Sequence, residues 1–159
     1  HGSKTKYEHT EIGYTARLDA MQAAILDVKL RHIEQWTDER RANAQYYDQI
    51  LADVDGVTIP YHAPDVRHVY HLYVIRVPEG TRQAVLQYLW DNGVGAGIHY
   101  PIALHMQPSL AELGYKEGDF PEAEAAAANI ISLPMFPELT HEQMDTVVAT
   151  LKDALKVHA

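Results

Sequence analysis

Two groups of side chains in this sequence have the types and spacing to do chemistry. The first is Tyr7, His9, Tyr14, Thr15 and Arg17, crowded ahead of a long apolar-striped segment in "YEHTEIGYTARLDAMQAAIL", residues 7–26. A hydroxyl, a guanidinium and the free N–H groups of a helix start can together hold a phosphate. Thr15 suits the N-cap position of the helix that follows. The plainer reading is a capped helix whose Arg17 pairs with Asp19 or faces water, and the residues alone favour it. The second group lies in "GIHYPIALHMQPS", residues 97–109. Its glycine lets a partner approach the backbone closely, and His99, Tyr100 and His105 offer polar atoms on flat apolar rings. Such a loop suits a sugar or a nucleotide. A buried turn packed on a sheet explains the same residues equally well.

Other chemistries find less support. The sequence has ten histidines, but His68 and His71 sit three apart in an expected strand and would face opposite ways. With His62 they form no ligand spacing, and no HExxH motif occurs, so no metal site is expected. There is no cysteine, which removes thiol nucleophiles and disulfides and is compatible with a reducing cytoplasm. No GxSxG elbow or glycine-rich phosphate loop is present.

Net charge is −9, from 22 acidic against 13 basic residues, which argues against a nucleic-acid surface. Lys4 and Lys6 before the first helix, with Arg40 and Arg41 on it, give local spots for a small anion only. The longest apolar run, "AEAAAANIISLPMF", is too short and too alanine-rich to cross a bilayer. No export signal is visible at the start. No membrane partner is expected, and a cytoplasmic location is.

The elements that would carry these groups follow from periodicity. Leu18, Met21, Ile25, Val28, His32 or Ile33, and Trp36 recur at helical steps, and no glycine or proline intervenes before Gly56, so one helix is expected over about 18–54. "VTIP" reads as a short strand. "HVYHLYVIRV", residues 68–77, reads as a central strand, being rich in β-branched and aromatic residues. Thr81 should cap a helix closed by Asn92-Gly93. "GAGIHYP" is expected as a short strand carrying His99 and Tyr100 to its end. Residues 105–120 look irregular, with a helical turn at "SLAEL". Pro121 starts an alanine-rich helix expected to reach Ile131. Thr140 and Gln143 form a capping box for a last helix striped by Met144, Val147, Val148, Leu151 and Leu155. The order implies an α+β fold: a long N-terminal helix, then a short antiparallel sheet with flanking helices. The expected division is an arm and helix over 1–54 and a small domain over 55–159.

Taken together, these segments resemble the C-terminal portion of the DegT/DnrJ-type sugar-nucleotide aminotransferases, fold type I enzymes that use pyridoxal phosphate. The resemblance covers nearly the whole chain in order. It runs from "HGSKTKYEHTEIGYTARLDAMQAAIL", against the family's "H-G-x…Y-x-H-x-x-x-G-Y-N-x-R-L-D-x-x-Q-A-A-I-L", through "HLYVIRV" and "GVGAGIHYPIALHMQPS" to "LGYKEGDFPEAEAAAANIISLPMFPELT". It implies homodimers with shared active sites, in which the segment before the long helix crosses to the partner's cofactor. Thr15 stands where the family has an asparagine that contacts the cofactor phosphate, and it keeps a hydroxyl but no amide. Arg17 matches the family's residue. Tyr7 and His9 match positions on the sugar-nucleotide side, and His99, Tyr100 and His105 fall in a loop near the substrate.

The resemblance also implies that the cofactor lysine lies in a large domain upstream of this sequence. Lysines occur here only at 4, 6, 29, 116, 152 and 156, none in the family's strand-and-serine context. No catalytic residue is therefore expected in this chain. The implied reaction transfers an amino group, usually from glutamate, to a nucleotide-linked keto sugar. Two rivals remain: a sugar dehydratase of the same fold, with histidine in place of the cofactor lysine, and a non-catalytic oligomerisation or binding module.

Overall fold

The computed structural model describes residues 2–15 and 17–158. His1 and Ala16, both within the quoted first motif, and the side chain of Lys4 lie outside that description. The chain opens with a small hairpin, β1 (Ser3–Thr5) and β2 (Glu8–His9), then α1 (Ala20–Leu30) and α2 (Ile33–Leu51). β3 (Tyr73–Arg76) and α3 (Arg82–Asp91) follow. Two 3-10 turns, Leu104–Met106 and Pro108–Leu113, lead to α4 (Pro121–Asn129), β4 (Ile130–Leu133) and α5 (His141–His158).

β3 and β4 pair antiparallel, Tyr73 opposite Leu133 and Arg76 opposite Ile130. Single bridges extend this ribbon on both sides, Thr58 to Arg76 and Gly97 to Ser132. β3 is therefore inside the sheet, as its composition predicts, but far shorter than residues 68–77. "VTIP" and "GAGIHYP" contribute one bridge each and are not strands. His68 and His71 precede β3 rather than occupying it. All four residues of β4 are buried, so both faces of that strand are covered.

The core is built where apolar spacing is strictest. α5 packs against α3 and α2, and Met144, Val147, Val148, Leu151 and Leu155 are all buried. Its start is the predicted capping box: Thr140 N–H donates to Gln143 Oε1 at 3.0 Å, and Gln143 N–H to Thr140 Oγ1 at 3.2 Å. The later half of α2 supplies Ala44, Tyr47 and Leu51. Tyr47 stacks on Tyr73 with ring centroids 4.9 Å apart. Its hydroxyl donates to the Pro134 carbonyl at 3.1 Å, which meets the demand of a buried phenol for a partner.

Four other expectations are corrected. The long helix is two helices with an elbow at Arg31–His32, where the Arg31 and His32 N–H groups turn back to Val28 and Lys29 carbonyls. His32 sits at φ −108°, ψ −3° and stacks on Trp36 at 5.5 Å. Its ring therefore packs on the next helix. Thr15 is not the cap: Asp19 is, accepting Met21 N–H at 2.9 Å. Thr81 occupies its N-cap position, but its hydroxyl donates to the Pro78 carbonyl at 2.7 Å instead of capping. The alanine-rich helix stops at Asn129, because Ile130 and Ile131 pair with β3.

Helix α1 has no buried residue. Met21 is 76% exposed and Ile25 59%, so the apolar stripe that defines the helix in sequence faces outward. No helix among the described residues is long and apolar enough to cross a membrane.

Candidate functional site

The N-terminal hairpin is the organising piece. Gly2, at φ +78°, accepts Thr10 and Glu11 N–H groups on its carbonyl at 3.1 Å each. A Cβ at Gly2 would lie 1.9 Å from the Glu11 carbonyl oxygen, so this close return of the chain requires glycine. Tyr7 turns the hairpin at φ +70°, which sets its ring edge-on to His99 at 6.1 Å and to Tyr100 at 5.5 Å.

One side chain fastens the hairpin to the rest of the molecule. Gln107, 7% exposed, accepts His9 N–H on Oε1 at 3.0 Å and donates from Nε2 to the Tyr7 carbonyl at 2.9 Å. Its amide imitates a neighbouring strand. Sequence reasoning passes over it, since the contact spans 98 and 100 residues and glutamine carries no local signal for it.

Two open concavities flank Tyr7. The larger, about 740 Å³, has the segment from Tyr7 and His9 to Gly13 on one side and Tyr100, Leu104 and Gln107 on another. Ala123, Ala126 and Ala127 of α4 form a wall of small side chains. The other, about 550 Å³, is lined by Lys6, Tyr7, His99, Trp90 and the backbone around Gly95–Gly97. Both have the scale of small-molecule pockets and the mix of apolar walls with a few polar groups that such pockets show.

His99 is half-buried, with Nδ1 2.9 Å from Ser132 Oγ. Burial, with the positive field of Lys6 and of His71, holds its imidazole below the ordinary histidine range. That direction favours the neutral, hydrogen-bonding form of the ring.

The structure thus gathers Tyr7, His9, His99 and Tyr100 of the sequence-derived residues. It does not bring His105 to them. His105 Nε2 lies 2.8 Å from Glu124 Oε1, with its side chain 8% exposed, and its ring is tilted against Phe120 at 4.8 Å. Glu124 also accepts the N–H groups of Gly118 and Phe120. His105 is thus a fastening of loop to helix and lines neither concavity.

Thr15 and Arg17 stand apart as well. The stretch from Thr10 to Asp19 is exposed throughout its described side chains, with Tyr14 at 91%. Neither Thr15 nor Arg17 lines the two concavities around Tyr7. Among the described residues, no group of His, Asp and Glu could hold a metal ion.

Comparison with known proteins gives this geometry a frame. Residues 1–152 match the model of the DegT/DnrJ/EryC1/StrS aminotransferase family. The chain is 46% identical over 155 residues to the "Pleiotropic regulatory protein" of Geobacillus stearothermophilus, covering 96% of this chain and 41% of that protein. It is 35% identical over 153 residues to the dTDP-3-amino-3,4,6-trideoxy-alpha-D-glucose transaminase of Streptomyces venezuelae, covering 96% and 40%. Among solved structures, S. venezuelae DesV in complex with a ketimine intermediate superposes with TM-score 0.81 at 35% identity, over 98% of this chain and 41% of that one. The chain spans about two fifths of the length of the relatives it matches.

Proposed function

The chain belongs to the DegT/DnrJ/EryC1/StrS aminotransferase family, and on that premise we propose that it forms the small-domain part of a nucleotide-sugar aminotransferase. The observation that carries this reading is the cluster of Tyr7, His99 and Tyr100 between two concavities, with Tyr14, Thr15 and Arg17 exposed beyond it. Pyridoxal phosphate, when bound, would supply the electron sink that lets an amino group move between amino acid and keto sugar. This chain would supply binding and orientation. The Thr15 hydroxyl and Arg17 guanidinium would hold the cofactor phosphate of a partner subunit in a homodimer. Tyr7, His9, His99 and Tyr100 would bound the nucleotide-sugar side, and Gln107 would keep Tyr7 and His9 in place. His105 is reassigned from substrate contact to loop anchoring. A cytoplasmic setting suits a reaction that draws on glutamate and nucleotide sugars.

The domain division proposed is an arm and helix pair over 1–54 and a small domain over 55–159, with α1 facing the cofactor-binding part of the intact enzyme. The exposed Leu18, Met21, Ile25 and Val28 support this, since so long an apolar stripe calls for a cover.

The test is to supply the full-length protein with pyridoxal phosphate, glutamate and a panel of dTDP- and UDP-linked keto sugars. The proposal expects 2-oxoglutarate to form with at least one sugar. Cofactor binding without 2-oxoglutarate, but with loss of a sugar hydroxyl, would point to the dehydratase instead. A second reading, a regulatory binding module, is favoured by one observation. The relative sharing 46% identity carries a regulatory name. Absence of any cofactor absorbance in the full-length protein would support that reading.

A further inference from the structure

Helix α2 and the loop crossing it, residues 61–70, enclose a small cavity of about 160 Å³. Arg41 and Gln45 of the helix face Tyr61, His62, His68 and Tyr70 of the loop. It shares no lining residue with the two concavities around Tyr7. It is also lined by no carboxylate, in a chain of net charge −9.

The nearby acid is already engaged. Asp48 Oδ2 lies 2.7 Å from His62 Nε2, and Oδ1 accepts the Tyr73 hydroxyl at 2.6 Å. The other ring nitrogen of His62 meets the Tyr70 hydroxyl at 2.5 Å. This chain of contacts pins the loop to the helix and to β3, so the cavity walls are set before any ligand arrives.

Two of the lining residues, His68 and Arg41, carry side-chain donors. Tyr70, in the left-handed region at φ +46° and 6% exposed, donates its N–H to His68 Nδ1 at 2.9 Å. A ring nitrogen that accepts carries no proton, so neutral His68 holds its proton on Nε2, as a donor. Arg41 gives one guanidinium nitrogen to the His68 carbonyl at 3.2 Å. No ion pair among the described residues joins Arg41 to a carboxylate. Arg67, on the same loop, contrasts with it, since it bridges both Glu34 and Asp38.

The geometry points to a binding site for a small oxyanion of phosphate's size and charge, held by the Arg41 guanidinium and the His68 Nε2–H with the Gln45 amide beside them. Arginine's planar fork matches the spacing of oxyanion oxygens. The volume admits a phosphate group but is below the roughly 300 Å³ at which pockets for whole drug-sized ligands begin. The ligand is thus a free phosphate or the phosphomonoester end of something larger that projects outward.

The test is a titration of the isotope-labelled full chain with sodium phosphate at constant ionic strength, following the His68 ring and Arg41 guanidinium resonances. Saturable shifts at both are expected. Arg41→Gln should weaken binding about tenfold or more, while Arg31→Gln, at the exposed elbow after α1, should leave it unchanged. Core amide resonances report whether each variant stays folded. Methyl phosphate separates the two sources: tighter binding than phosphate assigns a monoester end, weaker binding assigns the free ion. Shifts that never saturate, or unchanged phosphate binding in folded Arg41→Gln, overturn the site.

Discussion

At the scale of single residues, function rests on side chains that fix others as much as on those that face a ligand. Gln107 is the clearest. Its amide serves one acceptor and one donor of the hairpin at once, and each such bond contributes on the order of 1 kcal/mol. Gln107→Glu should be worse for the hairpin than its shape suggests, because it sets a carboxylate oxygen against the Tyr7 carbonyl. Faster hydrogen exchange at the His9 amide, with core amides unchanged, is the expected outcome. Glu124 gives a pH-dependent case. Hydrogen bonds from the Gly118 backbone, then contact with His105 and the Phe120 N–H, hold its carboxyl below the ordinary range. A depressed folded value means that its contribution is present above the unfolded carboxyl's range and is lost as pH falls through the folded value. Loop 114–120 should therefore become protease-sensitive in acid, and Glu124→Gln should show that sensitivity already at neutral pH. His105 illustrates why site residues were only partly legible: a histidine in a polar loop advertises a donor, but nothing local reveals a partner 19 residues away.

Among elements, legibility follows how local the determining interaction is. The capping box and stripe of α5 depend on neighbours three or four residues apart, and the structure reproduces both. β4 was hidden because an alanine-rich helix runs directly into "IISL", and a short apolar run reads the same in either state. Only its pairing with β3, about sixty residues earlier in the chain, decides the matter. The elbow at Arg31–His32 has no glycine or proline to announce it. The two apolar helices also differ in what their stripes do. Leu151 is fully buried and Ile25 mostly exposed. Leu151→Ala should cost about 2–5 kcal/mol, read as a lowered Tm, whereas Ile25→Ala should change stability of this chain by no more than about 0.5 kcal/mol. Equal losses at the two positions would mean that α1 is packed in the isolated chain.

For the whole molecule, a well-packed α+β core carries an apolar helix that it does not itself cover and a polar segment that it does not enclose. Both features make sense together if the site near Tyr7 is completed by more protein than these residues provide. The central claim is that Thr15 and Arg17 serve the cofactor of a partner subunit. It is tested most directly by mixing two full-length variants, one with Thr15→Ala and Arg17→Ala, the other lacking the cofactor lysine expected upstream. Each alone should be nearly inactive. If the arm acts across the dimer, mixed dimers have one intact site, and random exchange should restore about a quarter of the native rate. No recovery, with mixed dimers demonstrably formed, would show that the arm serves its own subunit or no site at all.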